Sequence, residues 1–344
     1  YIKSIKSIKK PKSNDSINKI TRIEKLCNMA KSYHVTVVGA ANEVGQTISL
    51  LLRTEPSIRK LVVHDNLLKT AGVALDLFHV PARCTLHSYT DEADLDKALK
   101  NTDIVIAAGG TPLKPGLTEK EWFNNNADFI KMISEKVSKQ CPFPFLGIVT
   151  EPLNSLVPMA AEIMRSRGDY NPKKLFGITT VDAMRAQTIY AAENNLNPID
   201  CCVPVICGHS NKTIIPLISQ AEPKCPMEEK KIHEFVNKVR KSVGFVTTPK
   251  PKCSSTLSIA YGALVFTRSI LEALDGRQAT VNAFVENNDF GTSFFAGVLD
   301  VTENGFGEMR RYPNMTNVEC LLLEKSIGQL RKDVSLGKKL LELA

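Results

Sequence analysis

Short apolar runs alternate with longer helical segments through the first half of the chain, and this alternation constrains the fold more than any other feature. Four runs are almost continuously apolar instead of alternating with polar residues: 34–38, 60–64, 103–108 and 145–150. Strands of that kind are buried on both faces, as in a parallel sheet covered by helices. Segments 44–53 and 119–139 have helical patterns, and Thr118 is the expected N-cap of the second. The order predicts an α/β fold with a doubly wound parallel sheet and right-handed crossovers.

The second half of the chain has a mixed pattern that begins after about Gly177. It predicts a helix at 181–194, a strand at 202–207, a long helix at 226–243 and a last helix from about Met315. Helices and strands in this order are typical of an α+β arrangement. We therefore expect the doubly wound sheet to be followed by a region of α+β type.

The positive charge of the chain is concentrated at its N-terminus. Residues 1–33 hold eight lysines and one arginine against Asp15 and Glu24, a surplus of +7 in a chain whose net charge is +8. The remainder is almost neutral, which argues against a basic groove for nucleic acid. A Lys- and Ser-rich, acid-poor start is typical of an organelle-targeting remnant, although such segments usually favour arginine; a solvated basic tail is the alternative.

Composition and cysteine usage indicate the class of protein. Hydrophobic residues make up 43% of the chain and charged residues 23%, as in soluble globular proteins, and no apolar run approaches the roughly 18 to 20 residues of a membrane span. The nine cysteines include no C-x-x-C pair, so their spacing predicts neither a metal site nor a disulfide framework. A reducing compartment such as the cytosol or the mitochondrial matrix is therefore favoured over secretion.

A glycine-rich turn follows the first apolar run. Gly39 and Gly45 occupy the outer positions of a G-x-x-G-x-x-G pattern, and Asp65 closes the next strand twenty residues after Gly45. Such a turn lets the backbone and the next helix N-terminus approach a pyrophosphate, and the acid accepts from ribose hydroxyls. The central glycine is replaced by Asn42, which is followed by Glu43. Because Asn42 fills space that glycine leaves open and Glu43 repels a pyrophosphate, the turn predicts weakened dinucleotide binding.

Two segments in the second half carry candidate acid–base chemistry. His209 lies in V-I-C-G-H-S-N-K, and Asp182 and Arg185 lie in T-T-V-D-A-M-R-A. With V-V-G-A-A-N-E-V-G and K-L-V-V-H-D near the start, these segments make the chain, from about Tyr33 to its end, resemble the malate dehydrogenases of the lactate/malate dehydrogenase family. The resemblance implies NAD as cofactor, His209 as the base, Asp182 as the carboxylate that orients it, and Arg185 as the partner of the substrate carboxylate.

The resemblance also implies a domain division and further site residues. It places a Rossmann-type dinucleotide-binding domain at 34–177 and an α+β substrate domain at 178–344, after a basic tail at 1–33. Gly109, followed by Gly110, stands at a cofactor-binding position, and Asn154 stands at a substrate-binding position. Related enzymes are mostly homodimers and some are tetramers, so a homo-oligomer is expected.

The loop after the fourth predicted strand departs from the family pattern. Malate dehydrogenases read approximately A-G-x-P-R-K-P-G-M-x-R, whose arginines bind the distal carboxylate and polarise the reacting carbonyl, whereas this chain reads G-G-T-P-L-K-P-G-L-T-E. Leu113 and Glu119 replace the two arginines. Each lost charge-assisted hydrogen bond is worth about 1.5 to 3 kcal/mol, and a combined loss on the order of 5 kcal/mol lowers turnover efficiency roughly 10³- to 10⁴-fold. Leu113 alone would suit a monocarboxylate substrate, but Glu119 would not, because lactate-type relatives also use an arginine there.

Three further replacements point the same way. Glu151, in V-T-E-P-L-N, stands where the family has an asparagine that places nicotinamide and substrate. Lys252 and Cys253, in K-P-K-C-S-S-T-L-S, stand where the family has small residues that line the pocket. Lys114 or Lys120 could supply the missing positive charge, but a lysine is a poor substitute for a bidentate arginine.

Three functional hypotheses follow from these observations. The favoured one is a malate dehydrogenase-like protein of the mitochondrial matrix, with impaired or absent malate/oxaloacetate oxidoreductase activity, retained as a structural component or in a larger protein assembly. The second is an active NAD-dependent dehydrogenase of malate or another 2-hydroxy acid in the tricarboxylic acid cycle, supported by the intact acid–base residues. The third is a nucleic-acid-binding module that uses the basic tail or the glycine turn.

Overall fold

The computed structural model describes residues 31–113, 116–248 and 255–339, which form eleven strands and nine α-helices. The strands are β1 (Tyr33–Val38), β2 (Ile58–His64), β3 (Thr85–Tyr89), β4 (Ile104–Ala107), β5 (Phe145–Ile148), β6 (Leu175–Ile178), β7 (Val205–Cys207), β8 (Ile214–Pro216), β9 (Ala279–Glu286), β10 (Phe294–Thr302) and β11 (Gly305–Met309). The helices are α1 (Glu43–Arg53), α2 (Lys69–Phe78), α3 (Leu95–Leu99), α4 (Glu119–Val137), α5 (Leu153–Arg167), α6 (Thr180–Glu193), α7 (Glu229–Thr247), α8 (Thr256–Leu274) and α9 (Asn317–Lys339).

All the strands belong to one sheet. Their order is β3-β2-β1-β4-β5-β6-β9-β10-β7-β8, with β11 paired to β10. Strands β1 to β6 pair in parallel, and every pairing from β6–β9 onward is antiparallel. The parallel part has the order of a doubly wound dinucleotide-binding sheet, whose ligands bind where the strand order reverses, between β1 and β4. The predicted fold class is confirmed.

The apolar strands and the first helices lie where the sequence predicts them. All residues of β1, β4 and β5 are buried, because helices cover both faces of the parallel sheet. Helix α4 begins after Thr118, whose Oγ1 accepts a hydrogen bond from the Glu121 backbone N–H at 3.2 Å. The Glu121 carboxylate in turn accepts from the Thr118 backbone N–H at 2.8 Å, which completes a capping box and confirms the predicted N-cap.

Several elements have no clear signal in the sequence. Strand β3 lies at the sheet edge with no fully buried residue, so it has none of the apolar continuity that marks the inner strands. The predicted strand at 202–207 is reduced to the three residues of β7, and Cys202 forms only an isolated bridge with Glu222. The sheet continues across Gly177, and the division into domains at 34–177 and 178–344 remains a prediction.

One helix within the described ranges, α8, is long and apolar enough to span a membrane by length and composition alone. Half of the most apolar stretch of this helix is buried inside the protein, and the helix packs against α1 and α6. Core helices of globular proteins pass the same test, and this helix is packed as one of them. The sequence-based expectation that the chain has no membrane span remains a prediction.

Candidate active site

The glycine turn packs tightly against the end of β4. Gly39 has a φ of +85°, and a Cβ on it would lie 2.1 Å from the Gly109 backbone N. A Cβ on Gly45 would lie 2.1 Å from the Gly39 carbonyl O. Both positions therefore require glycine, and they bring the N-terminus of α1 close to the switch point of the sheet.

Asn42, at the central position of the turn, does not adopt a positive φ. Its φ is −82° and its ψ is 169°, the extended conformation of an N-cap residue. Its Oδ1 accepts from the Gly45 backbone N–H at 2.8 Å, and its Nδ2 donates to the Ala108 carbonyl. Asn42 thus caps α1 and links the turn to the end of β4.

A cavity of about 300 Å³ lies beside this turn, where a dinucleotide fold holds its cofactor. Asn42, Glu43, Gly109 and Gly110 line it. The Glu43 carboxylate lies in the first turn of α1 and accepts from Thr256 Oγ1 at 3.2 Å. An acid at that helix end would repel a pyrophosphate, and weakened dinucleotide binding remains a prediction.

Asp65 lies on the other side of the turn. Its Oδ2 accepts a hydrogen bond from the Ala41 backbone N–H at 3.0 Å. One carboxylate oxygen therefore fixes the backbone of the glycine turn, and the other carries no hydrogen bond among those identified in the described part of the chain. A contact of Asp65 with a ribose remains a prediction.

His209, Asp182 and Arg185 form one cluster. His209 Nδ1 and Asp182 Oδ2 are 2.5 Å apart, and Arg185 Nη1 donates to Asp182 Oδ1 at 3.2 Å. Asp182 is fully buried, and each of its carboxylate oxygens has one of these two neighbours as a hydrogen-bond partner, as a buried polar group requires. Arg185 Nη2 also donates to Ser255 Oγ at 3.3 Å. The cluster can orient an imidazole and present a guanidinium to a carboxylate ligand.

Glu151 contacts the other nitrogen of the imidazole. Its Oε1 is 3.1 Å from His209 Nε2, so His209 lies between two carboxylates. Burial of His209 disfavours its charged form, but the charge and hydrogen bond of Asp182, supported by Glu151, outweigh that effect and raise the pKa of His209 to about 10. The imidazole is therefore protonated at neutral pH, with both N–H groups donated to protein carboxylates.

Asn154 holds His209 in place. Its Oδ1 accepts from the His209 backbone N–H at 2.8 Å. Both hydrogens of its amide are used within the protein, since Nδ2 donates to Thr213 Oγ1 at 3.1 Å and to Asp333 Oδ2 at 2.9 Å. Asn154 thus helps to position His209, and a direct contact of Asn154 with substrate remains a prediction.

A second cavity, of about 570 Å³, opens on this cluster. Predicted site residues that line it are Leu113, Glu119, Glu151, Asn154, Arg185 and His209. Glu151 and Trp122 line both cavities, so the two cavities adjoin. We call this larger space the substrate-side cavity, because it contains the acid–base cluster and the two loop positions where the family has arginine.

The two loop positions bring no positive charge to this cavity. Leu113 is 50% exposed, and the Glu119 carboxylate is 3.9 Å from Lys212 Nζ, at the edge of ion-pair range. Lys120 does not line the cavity. Lys114, Lys252 and Cys253, which the sequence also singled out, lie outside the described residues.

Four residues of this site gave no signal in the sequence. Trp122 comes from α4, Arg240 and Lys241 come from α7, and Asp333 comes from α9. Charged residues on an amphipathic helix are usually solvated, so only the packing of α7 and α9 shows that these three face a cavity.

Comparison with known proteins agrees with this geometry. Residues 33–177 match the family model for the lactate/malate dehydrogenase NAD binding domain, and residues 179–341 match the model for the lactate/malate dehydrogenase alpha/beta C-terminal domain. The chain belongs to the lactate/malate dehydrogenase family. It is 39% identical to the chloroplastic malate dehydrogenase of Arabidopsis thaliana over 310 residues, which covers 89% of this chain and 77% of that protein.

Other members of the family are similar over a comparable length. The mitochondrial malate dehydrogenase 2 of Arabidopsis thaliana is 36% identical over 89% of this chain and 90% of its own. The mitochondrial malate dehydrogenase of Rattus norvegicus is 33% identical over 88% of this chain and 90% of its own.

Solved structures have the same fold. The malate dehydrogenase of Cryptosporidium parvum superposes with a TM-score of 0.77 at 21% identity, covering 90% of this chain and 99% of its own. The lactate dehydrogenase of the same organism, complexed with lactic acid and nicotinamide adenine dinucleotide, has a TM-score of 0.77 at 20% identity. The match covers 92% of this chain and 100% of that protein. At such identities these structures establish a common fold only.

Proposed function

We propose that this family member binds NAD weakly, has strongly impaired malate/oxaloacetate turnover, and serves chiefly as a structural or assembly component. One observation carries the proposal: the Glu151 carboxylate is hydrogen-bonded to Nε2 of His209. A substrate hydroxyl or carbonyl would have to form its own hydrogen bond to this nitrogen to exchange a proton. Nδ1 is already bonded to Asp182. The imidazole therefore has no free nitrogen for a reacting group.

The residues fit a dinucleotide in part. The glycine turn and the cavity beside it would hold NAD, which supplies hydride transfer when bound. Glu43 at the N-terminus of α1 opposes the pyrophosphate, and the Asn42 side chain lines the same cavity. Binding is thus retained, with lower affinity than a glycine turn without these side chains would give.

The acid–base step is opposed on two counts. Oxidation of a hydroxyl requires a base, but His209 has a pKa raised to about 10 and is already protonated at neutral pH. Reduction requires proton donation from Nε2, which Glu151 must first vacate. Glu151 and Glu119 also place negative charge in the cavity where a dicarboxylate would bind.

An active dehydrogenase of another 2-hydroxy acid is the second candidate. The assembled contacts of His209, Asp182 and Arg185 favour it, because these three residues retain the orientation that hydride transfer to or from a 2-hydroxy acid would use. In that case Glu151 would leave Nε2 when substrate binds.

The cellular context is proposed from the relatives. The similar proteins include mitochondrial malate dehydrogenases of plants and mammals and one chloroplastic enzyme. Together with the acid-poor basic start of the chain, they support the mitochondrial matrix as the location. A homo-oligomer, most simply a dimer, is the assembly that family membership supports.

Oxaloacetate-dependent oxidation of NADH tests the proposal. We expect kcat/KM of the native chain to be about 10³- to 10⁴-fold below that of an active malate dehydrogenase assayed beside it. The variant Glu151→Asn should increase kcat, and adding Leu113→Arg and Glu119→Arg should increase kcat/KM by at least about 100-fold over the native chain. NADH binding is followed separately through quenching of Trp122, the only tryptophan of the sequence, which lines both cavities.

Glu303→Gln is the matched control, because Glu303 is an exposed acid in the turn between β10 and β11. It should leave both measurements unchanged. Native turnover on the order of 10 per second or more would refute the proposal and establish the active-dehydrogenase alternative.

A further inference from the structure

Arg240 is a cation without a carboxylate partner in the substrate-side cavity. It lies near the end of α7 and is partly buried. Its Nε donates to the Ile214 carbonyl at 2.7 Å and its Nη2 to Ser326 Oγ at 3.0 Å, and both acceptors are neutral. No carboxylate of the described residues forms an ion pair with Arg240, and burial lowers the pKa of its guanidinium. A partly buried guanidinium of this kind favours an anionic ligand.

The buried acid of the same cavity does not neutralise Arg240. Asp333 Oδ2 accepts from Asn154 Nδ2 at 2.9 Å, and Asp333 Oδ1 accepts from Gln329 Nε2 at 2.7 Å. Asp333 is thus bound to amide donors. Lys241, the residue after Arg240, also lines the cavity and is exposed, and no ion pair to it is formed within the described ranges. Neither of these two adjacent cations of α7 is paired with a carboxylate of the described residues.

The positive charge of the cavity has a different location from that implied by the family pattern. The family's two arginines would lie at Leu113 and Glu119, on the loop after β4 and at the start of α4. Among the described residues that line the cavity, the cations are Arg185, beside His209, and the pair on α7. A cavity of about 570 Å³ lies within the roughly 300 to 1,000 Å³ of pockets for drug-sized ligands, whereas a four-carbon diacid has only about nine heavy atoms.

We infer that the substrate-side cavity binds a 2-oxo or 2-hydroxy acid whose second acidic group is further from the reacting carbon than in malate, and that Arg240 and Lys241 bind this second group. The inference rests on the second candidate of the proposed function in one respect, that Arg185 binds the α-carboxylate of a 2-oxo or 2-hydroxy acid. The α-carboxylate meets Arg185, and the distal carboxylate or phosphate meets α7. By the family pattern, the far carboxylate of a four-carbon diacid would instead lie at the two loop positions, which are Leu113 and Glu119 here and line the same cavity.

Isothermal titration of three probes onto the full chain tests this inference. The probes are 2-oxoadipate, 2-oxohexanoate, which has the same chain length without the distal carboxylate, and oxaloacetate. Each is titrated without cofactor and again with NAD⁺, which cannot transfer a hydride to a 2-oxo acid. We expect 2-oxoadipate to bind at least about tenfold more tightly than either other probe, as one charge-assisted contact would provide.

Variants on α7 identify the residues responsible. Arg240→Gln and Lys241→Gln should each weaken 2-oxoadipate binding about tenfold and leave 2-oxohexanoate unchanged. Lys231→Gln is the matched control, since Lys231 is an exposed lysine of α7 that does not line the cavity. If Arg240→Gln fails to fold because it loses the bonds to Ile214 and Ser326, Arg240→Lys and Lys241→Gln provide the comparison.

The outcomes separate this inference from the proposed function. Equal affinity for 2-oxoadipate and 2-oxohexanoate, binding of none of the probes, or loss of binding in Lys231→Gln equal to that in Lys241→Gln would each overturn the inference. Rapid oxaloacetate turnover would overturn the proposed function alone, because the probe comparison measures affinity and no chemical step.

Discussion

The protonation of His209 affects both the chemistry of the site and the stability of the folded chain. Its side chain is 6% exposed and has a carboxylate on each nitrogen, from Asp182 and from Glu151. Each acid stabilises the imidazolium that burial would otherwise disfavour. A histidine held in this way is a good structural cation and a poor base.

The raised pKa predicts a specific loss of stability at alkaline pH. The pKa of His209 in the folded chain, about 10, lies above the ordinary value of 6.5. Its contribution to the free energy of unfolding is therefore complete below pH 6.5 and is lost as the pH rises through 10. Urea denaturation at pH 6, 8 and 10 should show a decrease on the order of a few kcal/mol in the native chain and a smaller decrease in His209→Gln.

His233→Gln is the comparison for this experiment, because His233 is an exposed histidine of α7. Its pH dependence should match that of the native chain. If His209→Gln also matches the native chain, His209 is not protonated in the folded protein at neutral pH.

The sequence motifs identify His209 but not every residue that surrounds it. The motifs T-T-V-D-A-M-R-A and V-I-C-G-H-S-N-K identified Asp182, Arg185 and His209, which the structure brings together. Glu151 was singled out as a replacement in the family pattern, yet its bond to Nε2 could not be predicted. That bond joins residues 58 positions apart and depends on how the start of α5 meets the turn between β7 and β8.

Helix α1 and its preceding turn form the part of the fold at which we expect cofactor affinity to be set. The turn is held from three sides: by Asp65 on the Ala41 backbone, by Asn42 on Ala108, and by close contact of Gly39 with Gly109. Only the charge of Glu43 works against an anionic ligand at this helix end.

Removing that charge should increase NADH affinity. Glu43→Gln should lower the NADH dissociation constant about 2- to 5-fold, since a charge at a helix N-terminus is worth roughly 0.3 to 1 kcal/mol. Fluorescence titration through Trp122 measures this change. Glu135→Gln, an acid near the far end of α4, should leave the dissociation constant unchanged. An unchanged constant in Glu43→Gln would show that Glu43 does not face the pyrophosphate.

The strands that the sequence does not predict are those without a continuous apolar run. Strand β3 is stabilised by pairing with β2 at the sheet edge, and strands β9 to β11 by antiparallel partners along the same sheet. Such pairing depends on distant segments, whereas the inner strands show their burial directly in continuous apolar runs.

At the scale of the whole molecule, the net charge is unevenly distributed along the sequence. The sequence places most of the net charge in residues 1–33, and residues 1–30 lie outside the described ranges. Deleting residues 1–30 should leave the free energy of unfolding and NADH binding of the remainder unchanged. It should abolish any salt-dependent retention of the chain on single-stranded DNA.

Retention that survives the deletion, or that does not weaken from 50 to 200 mM salt, would place a nucleic-acid contact on the remainder of the chain and contradict this expectation. The third hypothesis, a nucleic-acid-binding module, is tested by the same measurement. A size-exclusion experiment on the same two chains gives the oligomeric state, for which a homodimer is expected.

The sequence by itself determined the doubly wound class of the first half and the positions of the glycine turn and of the N-cap Thr118, and it predicted the candidate acid–base residues. Each of these depends on local pattern or on a recognisable motif. Tertiary structure alone decided that Glu151 closes the second nitrogen of His209 and that Arg240 and Lys241 face the substrate-side cavity. These side chains come from elements far apart in the chain, and their charges acquire a function only when packing places them at short distance in a partly desolvated space.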